Sequence, residues 1–122
     1  MPIAQHFDIR PVGHARPFAG GEEAELTAWI RLLPAPDYRE AVAAVLLDAL
    51  APSLYAVMTA PIPIPTVEFT VHFTPARPTG EWFLIRQRTT WSTAAFCVDE
   101  AELCTPDGQV VARSRQLRRI LG

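Results

Sequence analysis

The sequence predicts an α+β fold, a curved antiparallel sheet of about six strands wrapped around one long central helix. The whole is one domain spanning residues 1–122. Three observations carry that prediction. Segments of strand character come first as a pair and then as a set of four, with a single helix-like stretch between them. That stretch, Ala41 to Ala51, holds ten apolar residues and one acid, Asp48. Finally, Thr66–Thr74 alternates strictly. Val67, Phe69, Val71 and Phe73 point one way, and Thr66, Glu68, Thr70, His72 and Thr74 the other.

In order along the chain, "IAQHFDIRPV" and "EAELTAWIRLL" read as strands separated by the turn-rich "ARPFAGGEE". Pro34 and Pro36 stop the second strand. Asp37 is placed as a helix N-cap, with Glu40 three residues on as its capping-box partner. From Tyr38 to about Ala51 no breaker interrupts the helix, and its second half is apolar nearly all round, the pattern of a helix enclosed by protein. Pro52 ends or kinks it. Proline has no N–H, so the carbonyl of Asp48 loses its helical partner. After the connector "TAPIPIP" comes the alternating strand from Thr66. Then "GEWFLIRQRTTWS", "AAFCVDEAELCT" and "QVVARSRQLRRI" complete a run of four, with a tight turn at Thr105-Pro106-Asp107-Gly108 joining the last two. Two strands, one buried helix and a four-stranded antiparallel meander make the hotdog architecture.

Composition bounds the function. A chain of 122 residues, 49% apolar and 20% charged, is sized for one hydrophobic core. The net charge of −2 argues against nucleic acid or an anionic membrane as partner. All 11 basic residues are Arg, so an anion site here relies on Arg or backbone amides. Cys97 and Cys104 stand an odd number of residues apart, on opposite faces of an extended chain, and read as free buried thiols rather than a disulfide. The N-terminus lacks the apolar core of a signal peptide, and the longest apolar run is shorter than the ~18 residues of a membrane span. A cytoplasmic protein is expected.

The residues themselves resemble the C-terminal repeat of the acyl-CoA thioesterase II family. The likeness runs in order through "LLDALAPSLYAV", "PTVEFTVHF", "GEWFLIR", "CTPDG" and "VVARSRQL". In that family an Asp on the central helix, a Thr opening the next strand and a Gln on the last strand activate the hydrolytic water. The resemblance places those roles on Asp48, Thr66 and Gln116. It implies an acyl-CoA or acyl-carrier thioester as substrate and no cofactor. The family carries two such repeats per chain, and this sequence matches only the second. It is therefore expected to form a homodimer or higher homo-oligomer, or to pair with a separate N-terminal-type hotdog repeat. Pairing would also hide the exposed edges of a six-stranded sheet.

A carboxylate held in apolar surroundings is a better proton acceptor near neutral pH, and hydrogen bonds from a Thr hydroxyl or a Gln amide offset its burial. Together the three groups can fix a water's position without a covalent intermediate. Other readings of the same residues stand beside this one. A lone Asp in a buried helix also serves as a structural anchor. By parity Thr66 faces away from Val67 and Phe69, and only a bulge would turn it toward the helix. Gln116 shares a face with Ser114, Ala112 and Val110, which fits a polar site and a solvated strand equally well. Arg86 and Arg88, and Arg113 and Arg115 with Arg118 and Arg119, are candidates for the phosphates of coenzyme A or for a solvated surface. Trp29, Trp82 and Trp91 suit packing better than an acyl tunnel.

His6, His14 and His72 show no metal-ligand spacing, and neither cysteine has a sequence-adjacent histidine to activate it, so neither a metal site nor nucleophilic catalysis is expected. Hydrolysis of an acyl-CoA thioester is the first reading. The alternative is a non-catalytic hotdog subunit that binds an acyl chain or completes an oligomer. A thioester hydratase would need a His on the central helix, and none falls there.

Overall fold

The computed structural model describes residues 6–13, 20–21, 23–60 and 62–122. Six strands form one antiparallel sheet: β1 (His6–Pro11), β2 (Glu25–Leu33), β3 (Thr66–Phe73), β4 (Phe83–Ser92), β5 (Phe96–Cys104) and β6 (Val110–Arg119). Their spatial order is β1-β2-β4-β5-β6-β3. The last three strands follow as a meander because short turns join them. In the turn at Thr105–Gly108 the Gly108 amide donates to the Thr105 carbonyl at 2.9 Å, with Gly108 at φ +92°. β3 pairs with β6 and not with β4, so the expected four-stranded meander is a meander of three, with β3 at one edge of the sheet and β1 at the other.

One helix, α1 (Glu40–Leu47), packs on the inner face. Ala43, Leu46 and Leu47 fall at the i, i+3, i+4 spacing of a single stripe, and all three are fully buried. They meet Ile30, Ile85, Leu103 and Val111, the inward residues of β2, β4, β5 and β6. The opposite stripe of α1 is open, with Ala41, Val45 and Asp48 exposed.

The helix is shorter than the sequence predicts. It starts at Glu40 after Arg39, which makes no side-chain cap, so the expected Asp37–Glu40 capping box does not form. At the other end the Asp48 amide closes a tighter turn onto the Val45 carbonyl at 3.2 Å. Helical geometry has already stopped there, four residues ahead of Pro52. Pro52 sets only the outer limit of the helix. Its ring disfavours the helical conformation at Ala51 and it offers no N–H to extend the ladder. A separate 3₁₀ turn, Ser53–Ala56, carries the chain onward across the sheet.

Cys97 and Cys104 are both buried and unbridged on β5. Burial pushes the Cys97 thiol from its ordinary 9.0 up to about 11, and the neighbouring Asp99 carboxylate adds to the shift. Burial, then its hydrogen bond to Glu102, takes Cys104 to about 11 as well. Below pH 9 both states of the chain hold these protons. Between 9 and about 11 the unfolded chain releases them while the folded one keeps them, so stability is lost as pH rises through that window. Urea melts at pH 8 and pH 10.5 should show the loss. At pH 8 a disulfide reagent should titrate both thiols in denaturant and neither, on a minutes scale, in the folded protein. Rapid labelling of the native protein would contradict the burial.

Candidate active site

The inner face of the sheet carries a buried ion pair beside the 3₁₀ turn. Arg118 on β6 donates from Nε to Asp99 Oδ2 on β5 at 2.7 Å, with the two side chains 6% and 1% exposed. Asp99 is also held from two other elements. Thr89 of β4 donates its hydroxyl to Oδ1 at 2.7 Å, and the Ser53 amide donates to Oδ2 at 3.2 Å. Close by, Gln87 of β4 donates to the Ala51 carbonyl at 2.7 Å. The segment that the shortened helix leaves behind is thereby fastened to the sheet by polar groups.

From this pair the network reaches two of the three residues singled out in the sequence. Arg118 Nη1 donates to Thr66 Oγ1 at 3.2 Å, and the Thr66 hydroxyl donates to Gln116 Oε1 at 2.8 Å. Parity predicted that Thr66 would face outward. The ladder shows why it does not. Phe69 pairs with Gln116, but Thr66 pairs with Arg118 across a register shift between Thr66 and Glu68. Val67 is the extra residue, and it is 59% exposed. The bulge cancels one step of alternation and puts Thr66 on the inward face with Phe69 and Val71, which pack on the core.

Several donors and acceptors here are buried with no protein partner: Gln116 Nε2, Arg118 Nη2, Ser53 Oγ, Ser114 Oγ and Gln87 Oε1. Leaving such a group unpaired costs about 1–3 kcal/mol.

Asp48 stands differently from expectation. It is exposed at the C-cap of α1 rather than buried in an enclosed helix. Among the described residues nothing donates to its carboxylate, and no hydrogen bond joins it to Thr66 or Gln116. The structure brings Thr66 and Gln116 together and leaves Asp48 on the open side of the helix.

Arg86, Arg88, Arg113 and Arg115 do not join them. They point from the outer face, in rows where Arg88 lies between Glu25 and Glu100, and Glu102 between Arg86 and Arg113. Arg113 bonds Glu102 at 2.6 Å. An open depression of about 480 Å³ on this face is lined by Arg86, Arg88 and Arg113 but equally by Glu25, Glu100 and Glu102. The charges cancel, so it is a poor cradle for phosphates. Arg118, whose cluster in the sequence suits CoA phosphates or a solvated surface alike, turns inward. The guanidinium groups of Arg10 and Arg31 both lie over the Trp82 ring, 4.7 and 4.5 Å from its centroid, and Trp91 is exposed. His6 and His72 lie on opposite edge strands and His14 lies outside the described residues. No cluster of three metal-type ligands occurs among the described residues.

Asp99, Arg118 and Gln87 were legible but unread. Asp99 has the parity of the apolar Cys97, Ala101 and Leu103, and Arg118 shares that of Ser114 and Gln116. A charge in an inward register is the signal of a buried pair.

Comparison with known proteins bears on this arrangement. The family model for the acyl-CoA thioesterase C-terminal domain matches residues 1–120. No curated protein matches the chain in sequence. Among solved structures, a hot dog fold protein of unknown function from Alicyclobacillus acidocaldarius is 26% identical, with a TM-score of 0.85 over 95% of this chain and 46% of its own. A candidate thioesterase II from Thermobifida fusca is 24% identical, with a TM-score of 0.69 over 92% of this chain and 50% of its own. The chain thus spans about half the length of these two. A protein from Streptococcus mutans bound to acetyl CoA is 12% identical, with a TM-score of 0.71 over 94% of this chain and 90% of its own.

Replacing Asp99 with Ala strands a buried guanidinium and should cost about 3–5 kcal/mol. Asp48→Ala, at an exposed cap, should change stability by about 0.5 kcal/mol or less. Urea unfolding measures both. Equal effects at the two sites would refute the assignment of the ion pair as the structural anchor.

Proposed function

Because the chain belongs to the family of acyl-CoA thioesterase C-terminal domains, we propose that it hydrolyses an acyl-CoA thioester to the free acid and CoA, with water activated by Asp48, Thr66 and Gln116. The observation that carries this reading is the contact between Thr66 and Gln116 at 2.8 Å, made possible by the bulge at Val67. Two residues 50 apart, on different strands, meet through polar atoms on the helix side of the sheet. In the proposed reaction these two groups hold the water and Asp48 takes its proton as the oxygen adds to the thioester carbonyl carbon. The tetrahedral adduct then collapses by breaking its C–S bond, and the departing thiolate recovers the proton from Asp48.

Asp48 and Thr66 are both exposed in the isolated chain, and a productive site excludes bulk water. We propose that a second hotdog covers them, either another copy of this chain or a separate repeat of the N-terminal type. Edge strand β3 offers an unpaired backbone row with Val67 59% and Phe73 38% exposed, and Val45 on α1 is 41% exposed. Sedimentation at micromolar concentration should give a dimer or larger, and a lasting monomer would count against this assembly.

Release of free thiol from a chain-length series of acyl-CoAs tests the activity. Asp48→Asn should lower kcat about 10²- to 10⁴-fold with an unchanged melting temperature, since the residue is exposed. Undiminished turnover in the variant would remove Asp48 from the site. An assembled wild type with no turnover would favour the non-catalytic subunit.

A further inference from the structure

We infer that Arg118, anchored by Asp99, is a positioning residue that fixes the direction of the hydrogen bonds through Thr66 and Gln116, leaving the Thr66 oxygen as an acceptor toward the reacting water. The inference rests on the hydrolase reading and extends it to residues outside the three-residue set.

Arginine has donors and no acceptor. Its Nη1 contact therefore makes Thr66 Oγ1 an acceptor. An amide oxygen only accepts, so the single Thr66 hydroxyl proton is committed to Gln116 Oε1. Gln116 is left with its NH₂ as the free end, and Nε2 is the atom that has no protein partner. One lone pair remains on Thr66. A water bound there can donate a hydrogen bond to Thr66 but cannot receive one from it, so a lone pair of the water stays available for attack. With the hydroxyl turned the other way, Thr66 would occupy that lone pair.

The guanidinium can impose this only if it cannot swing away. Asp99 accepts from Arg118 Nε, from the Thr89 hydroxyl and from the Ser53 amide, so it is tied to three elements besides its own strand. Arg118 is also the Cα partner of Thr66 at the bulge. The same residue thus meets Thr66 through the backbone ladder and through its side chain. A lysine in its place keeps the charge beside Asp99, but its single ammonium lacks the fork that reaches both Asp99 and Thr66.

The test is a double-mutant cycle with two readouts. Arg118→Lys should lower kcat about 10- to 100-fold, the size usual for a supporting residue, with KM within about twofold. In a Thr66→Val background, where no hydroxyl remains to orient, Arg118→Lys should have no further effect on kcat. Losses that simply multiply would overturn the proposal. The second readout needs no turnover. Solvent exchange of the Gln116 side-chain NH₂, followed by ¹⁵N NMR, should speed up about tenfold or more in Arg118→Lys, and an unchanged rate would also overturn it. If wild type hydrolyses no thioester, the hydrolase reading falls, and the exchange rates alone decide the role of Arg118. Should Arg118→Lys fail to fold, Thr89→Val loosens Asp99 without touching Arg118 and enters the same cycle.

Discussion

A charge pair buried on the inner face of a sheet, beside a single 3₁₀ turn, is costly to build. In isolation the desolvation of Asp99 and Arg118 would exceed their mutual attraction, and such a pair persists where its geometry is satisfied from several sides. Here it is. The carboxylate takes three donors and the guanidinium reaches two acceptors. Through these contacts the strands β3, β4, β5 and β6 and the turn at Ser53 share one fixed point. The apolar core under α1 supplies most of the cohesion, but it has no means of specifying where a hydroxyl points. The polar knot does that, at the end of the sheet where the helix has already finished.

The short helix has its own consequence. Had it continued through Pro52, its last turn would have covered the region occupied by the Ser53–Ala56 turn, and the Ser53 amide would not be available to Asp99. Ending at Leu47 also places Asp48 at the boundary between the covered and open faces of the molecule. In the proposed site Gln116 is held within this chain, whereas Asp48 and Thr66 lie open, on a molecule that also exposes Val45, Val67 and Phe73. The charge rows of the outer surface show the contrasting case. There each arginine has carboxylates beside it, so that face is self-sufficient.

Most of the architecture was legible from period and punctuation. Alternation from Thr66, the proline stops and the turn before Gly108 located all six strands, and the apolar stretch from Ala41 located the helix. Its length was not legible, because the residues after Asp48 are as apolar as those before it and Pro52 marks only the furthest point the helix could reach. The site was half legible. Of the three residues that the resemblance names, Thr66 and Gln116 meet in the structure, and strict alternation without a bulge turns Thr66 the wrong way. Hydrophobic pattern does not record an extra residue when both its neighbours are polar or β-branched. Asp99 and Arg118 carry inward parity, but neither that parity nor the run of arginines around Arg118 shows that the two side chains meet until β5 is paired with β6. The burial expected for Asp48 failed because the enclosure inferred for the whole segment applies only to the stripe bearing Ala43, Leu46 and Leu47.

The bulge at Val67 separates two kinds of information that usually travel together in a strand. Below it, from Phe69 to Phe73, β3 is ordinary sheet, pairing with β6 residue for residue. Above it, a single surplus position decides which side of the sheet a hydroxyl faces. The pairing needs no such residue, since the ladder closes equally well in either parity. Fold and chemistry are thus written in different codons here. One residue more or less at this exposed edge sets whether a threonine faces inward, while the sheet pairing from Phe69 onward stays as it is.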